Sequence, residues 1–142
     1  MKLTKLIGIY ALLFVTIGAC SPKTESATEE IKDEETAEWK GMDDFHMLMA
    51  ESFHPYRDSA NVEPVKQYAK EMVVSVNNWI EQELPARVDN DKVKQTLKDL
   101  QDGAVALADL VEVGDDQAIG ESLTALHDTF HQLQEAWYKK DK

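Results

Sequence analysis

From Trp39 to the C-terminus, apolar residues return every three or four positions and never alternate with period two. That spacing places them on one stripe of a 3.6-residue helix and leaves no pleated face for a sheet to bury. A first segment carries Trp39, Met42, Phe45, Met49, Phe53 and Tyr56, with His46 in the same stripe. Asn61 and Pro64 open a second, in which Val65, Tyr68, Ala69, Met72, Val76, Trp79 and Ile80 recur, and Leu84-Pro85 is read as its end. Asp89 or Asn90 caps a third with Val93, Leu97, Leu100, Ala104, Leu107 and Val111. Gly114-Asp115-Asp116 closes the third and caps a fourth with Ile119, Leu123, Leu126, Phe130, Leu133 and Trp137. Four amphipathic helices with short connections predict an all-α, up-down-up-down antiparallel four-helix bundle over residues 39–142. That length can enclose one core without cross-links.

The preceding residues cannot join such a core. Residues 20–38 include Glu25, Glu29, Glu30, Asp33, Glu34, Glu35 and Glu38 but only one large aliphatic residue, Ile31. A composition this acidic cannot bury enough apolar surface to offset its ordering entropy, so it reads as a disordered tether with a reach of roughly 20–25 Å. Before it, Lys2 and Lys5 precede an apolar run from Leu6 to Ile17 and the small pair Gly18-Ala19, which is the pattern of a signal peptide spanning residues 1–19. The run falls short of the roughly 20 apolar residues of a membrane-crossing helix.

The sequence Ile17-Gly18-Ala19-Cys20-Ser21 resembles the lipobox of bacterial lipoproteins, in which cleavage before the cysteine leaves it acylated. The resemblance implies lipid attachment at Cys20 and a place in the bacterial cell envelope. Ser21, rather than Asp, resembles the outer-membrane choice of the enterobacterial sorting rule. Lys32-Asp33-Glu34-Glu35 is similar to the surface-export signals of Bacteroidetes lipoproteins, although it lies farther from the cysteine. The anchored domain would therefore face the periplasm or the cell surface.

Lipidation would also restrict the chemistry. Cys20 is the only cysteine, so an acylated chain has no thiol for disulfides, metal ligation or nucleophilic catalysis. The net charge is −12, from 15 basic and 27 acidic residues, and loss of Lys2 and Lys5 makes the mature chain more acidic still. Such a surface repels nucleic acid and attracts cations. No nucleophile elbow, phosphate-binding glycine loop or diagnostic carboxylate pair is present, so no enzymatic activity is expected.

The four histidines have a distribution that a plain bundle does not require. His46 and His54 lie on the first helix, His127 and His131 on the last, and the middle helices have none. His127 and His131 are separated by roughly 40° and 6 Å of rise, so their imidazoles can reach one ion. Measured from the centre of each apolar stripe, His46 projects near +40°, His54 near +120°, His127 near +80° and His131 near +120°, all rough values. For one handedness of the bundle these flanks face each other across the seam between the first and last helices; for the other they point apart. His46 and His54 are about 12 Å apart along an ideal helix, and Pro55 is expected to bend or end the helix beside His54.

These residues predict a transition-metal site of His46, His54, His127 and His131, suited to copper, zinc or nickel. Met49 and Met42 would be possible thioether ligands, and Asp128, Glu51 or Glu121 could complete or orient the set. The expected role is sequestration or transfer of the ion, with no protein partner identifiable. The segment His127-Asp128-Thr129-Phe130-His131 is similar to the helical zincin motif, but Asp stands where that family has Glu and no third-ligand segment follows. The architecture resembles cytochrome c-prime and its noncovalent haem-b relatives, which implies as an alternative a haem held by Met42 or Met49 and His127 or His131. Their Cys-x-x-Cys-His attachment motif is absent. Phe53-His54-Pro55 together with Leu126 to His131 is similar to small exported bacterial bundles without an established activity, and a ligand-free structural or interaction lipoprotein is the third reading.

Overall fold

A computed structural model describes residues 38–139. The expected signal peptide, Cys20 and the expected tether lie outside the described residues, except for Glu38, which is exposed. Four helices follow in order: α1 Lys40–Ser59, α2 Glu63–Ile80, α3 Asp91–Val113 and α4 Asp116–Tyr138, with a 3-10 turn at Ala86–Val88. No strand occurs among the described residues, and none of their helices is long and apolar enough to cross a membrane. Each helix packs on its neighbours in the chain, and α4 returns to α1, which closes the antiparallel four-helix bundle.

The stripes read from the sequence are the buried faces. Phe45 and Met49 from α1, Met72 and Trp79 from α2, Leu100 and Leu107 from α3, and Leu123, Phe130 and Leu133 from α4 are fully enclosed. Side-chain caps set two of the helix starts. Asn90 Oδ1 accepts from the Val93 amide at 3.0 Å, and Asp115 Oδ1 accepts from the Ala118 amide at 2.8 Å, each satisfying an otherwise orphaned N–H. At α2, Asn61 Oδ1 accepts from the Glu63 amide at 3.1 Å, with Pro64 in the first turn.

Two boundaries differ from the sequence reading. Pro55 does not end α1, which continues one further turn to Ser59. Near the helix end, the bond that proline cannot donate is one of few remaining, and Tyr56 packs that last turn onto Gly120 of α4. The helix stops where Ala60 adopts a left-handed conformation, φ 54°, and donates to the Tyr56 carbonyl at 2.7 Å. Conversely, α2 ends at Ile80 rather than at Leu84-Pro85. The chain then turns so that half-buried Leu84 and fully buried Val88 fold back onto the core.

At the end of the bundle where α1 begins, three indoles interlock. Trp39 meets Trp79 edge to face with centroids 4.9 Å apart and lies 5.6 Å from Trp137. The Arg87 guanidinium stacks 4.6 Å above Trp137. Gly41 is required here: a Cβ would overlap the Trp79 ring and come within 2.7 Å of its Nε1, so the absent side chain sets how closely α1 approaches α2.

Candidate metal centre

The seam between α1 and α4 is less extensively packed at the backbone than the other three, and aromatic rings fill it. Phe45 and Phe130 pack at 5.4 Å in its floor. The imidazole of His46 stacks on Phe130 at 5.6 Å and 26°, and that of His127 lies nearly parallel to Phe53, 3.6 Å and 11°. Aromatic contacts across helices, which helical periodicity does not reveal, therefore fix two of the histidines.

All four histidines line one small cleft, together with Met49, Ala50, Phe53, Phe130 and Gln134. The bundle thus has the handedness that turns both histidine flanks inward to the shared seam. His46, His54 and His131 are exposed at its rim, and His127 is half-buried. Met49 is enclosed beneath the cleft, whereas Met42 lies in the core and does not line it. Asp128 is exposed, with its Oδ1 3.7 Å from His127 Nδ1, too far for a hydrogen bond. Glu51 is exposed and lines no part of the cleft, while Glu121 accepts from Gln117 Nε2 at 2.9 Å.

The closest pair is His127 and His131, with their Nε2 atoms 3.1 Å apart. Two nitrogens at that separation, each roughly 2.0–2.1 Å from a shared ion, would subtend about 100° at it. This lies between the cis angle of square-planar copper or nickel and the tetrahedral angle of zinc. Without an ion, the same separation suits a hydrogen bond in which one neutral ring donates Nε2–H and the other accepts. Burial, reinforced by His131, holds the His127 imidazole below its ordinary pKa despite the opposing pull of Asp128. Its neutral, ligating form is favoured accordingly.

Among the described residues, no three His, Cys, Asp or Glu side chains converge on one point. The preformed arrangement is therefore a pair of imidazoles, with His54 and His46 on the same rim, and three of these side chains could meet at one point only if a side chain changed rotamer. The cleft holds about 20 Å³, space for a single water or ion. Organic cofactors occupy roughly 300–1,000 Å³. A haem between Met42 or Met49 and the α4 histidines does not fit this packing, because Phe45, Phe53 and Phe130 take up the seam. Comparison with known protein families, curated proteins and solved structures finds no match to the chain.

Proposed function

We propose that this chain is a lipid-anchored envelope protein whose α1–α4 seam binds one transition-metal ion, copper, zinc or nickel, for sequestration or transfer. His127 and His131 supply the primary chelate; His54 or His46 closes over the ion from α1, and Met49 offers a thioether if reduced copper is the guest. The observation carrying this reading is the 3.1 Å separation of the two Nε2 atoms on the wall of a cleft that also has both α1 histidines. A chelate with only two preformed ligands leaves coordination positions open, which suits an ion that is passed on rather than one that holds a fold together.

Calorimetric titration of the exported chain with each metal tests the proposal. The wild type is expected to take up one equivalent, and His127→Ala/His131→Ala to bind about 100-fold more weakly or worse, since even outer-shell losses cost 10–100-fold. Equal uptake by both proteins overturns it. Anchoring is tested separately by fatty-acid labelling in the host, which Cys20→Ser should abolish.

A further inference from the structure

The distribution of positive charge marks a second site at the opposite flank of α4. Of the nine lysines and arginines among the described residues, six are ion-paired: Lys40 with Asp44, Arg57 with Asp58, Lys66 with Glu63 and Asp116, Lys70 with Glu112, Lys94 with Asp89, and Lys98 with Asp102. The other three, Arg87 in the 3-10 turn, Lys92 at the start of α3 and Lys139 just past the end of α4, line the same groove. In a protein of net charge −12 carboxylates are abundant, so three cations that pair with none among the described residues and share one concavity favour an anionic ligand there.

The groove encloses about 340 Å³ between the start of α3 and the end of α4. That is within the range of small-molecule pockets and larger than a bare inorganic ion needs. Arg87 is held by its stack on Trp137, which is itself packed against Trp39, so its fork of donors is preorganised. Gln132 adds an amide on the α4 wall, and Glu135 is the only carboxylate of the lining among the described residues. Three cations against one carboxylate favour a ligand with more than one negative charge, and a guanidinium fork beside two ammonium groups matches the oxygens of a phosphate. We propose that this groove binds the phosphomonoester group of a small organic ligand, whether free in solution or displayed as a phospholipid headgroup.

The test uses the exported chain beginning at residue 20 and bearing Cys20→Ser, so that an acyl anchor cannot contribute. Glycerol phosphate is titrated as the free ester, and vesicles of phosphatidic acid in neutral lipid present the same group on a membrane. Binding is followed by amide and side-chain NMR shifts and by tryptophan fluorescence, to which Trp137 beside Arg87 contributes. Saturable binding with shifts confined to Arg87, Lys92, Gln132 and Lys139 is expected. Binding of the free ester identifies a soluble ligand, and binding of vesicles alone identifies a headgroup. Lys92→Gln/Lys139→Gln, which leaves the Arg87 stack intact, should weaken binding at least tenfold, and adding Arg87→Gln should abolish it. Lys40→Gln/Lys70→Gln/Lys98→Gln, which removes three ion-paired charges elsewhere, should change it less than twofold. No saturable binding to either probe, dispersed shifts, or equal weakening in the control variant overturns the proposal.

Discussion

Replacing Gly41 by alanine should destabilise the bundle, although alanine is the better helix former. In a helix interior the substitution alone contributes about 1 kcal/mol of stability, and in the first turn of α1, where Gly41 lies, it contributes less. At Gly41, however, the new methyl overlaps Trp79, a fully buried ring hemmed in by Trp39, Phe45 and Phe130. The indole cannot swing to solvent, so α1 must move away from α2 by about 1 Å or more. Overpacking of this kind costs roughly 1–3 kcal/mol, and an overlap with a rigid ring belongs at the top of that range. The net expectation is a loss of about 2 kcal/mol, or roughly 8–16 °C in midpoint for a domain near 100 residues. Gly103→Ala is the matched control. Its Cβ would meet only the terminal Cδ1 of Leu126 at 3.1 Å, which can give by a few tenths of an ångström, so the helix term prevails and the domain gains up to about 1 kcal/mol. Urea unfolding of both variants measures the difference, and an unchanged slope certifies that the folded and unfolded states are otherwise alike. If both variants gain stability equally, the close approach of α1 to Trp79 is wrong.

Three further outcomes can be checked in the same assays. Ala60→Gly should stabilise the domain by about 1 kcal/mol, because a left-handed φ of 54° strains alanine and not glycine; thermal unfolding that leaves the midpoint unmoved would argue against that C-cap. Asp115→Ala should cost about 1 kcal/mol through loss of the hydrogen bond to the Ala118 amide, with hydrogen exchange rising first in the opening turn of α4. Since His127 is held below its ordinary pKa of 6.5, the folded state disfavours its protonation. Its contribution is present above about pH 6.5 and is lost as pH falls through the lower folded value, so His127→Gln should flatten the stability profile on that acidic limb.

The bundle was legible because burial on one side of a helix writes a 3.6-residue period into the sequence, and Phe45, Met49, Trp79, Leu100, Leu123 and Phe130 all obey it. The ends of α1 and α2 were less legible. Pro55 is tolerated one turn before a helix end by packing against another helix, and Leu84 folds back as a loop residue although it stands at helical spacing from Ile80. The histidine flanks could be projected from spacing, but bundle handedness could not, since both hands bury the same stripes. Nor does periodicity report contacts between elements, and so the stacks of His127 on Phe53 and His46 on Phe130 emerge only from the fold. The groove of Arg87, Lys92 and Lys139 was illegible for a related reason. Which cations lack carboxylate partners depends on which helices adjoin, and in the sequence these three look like any other basic residues.

An acidic surface can collect cations through carboxylates alone, so the identity of the coordinating atoms decides the matter more directly than affinity does. X-ray absorption at the metal edge of the stoichiometrically loaded protein should show two or more imidazole nitrogens at roughly 2.0–2.1 Å. That imidazole signature should disappear in His127→Ala/His131→Ala. A shell of oxygen alone, unchanged by the double substitution, would contradict the account.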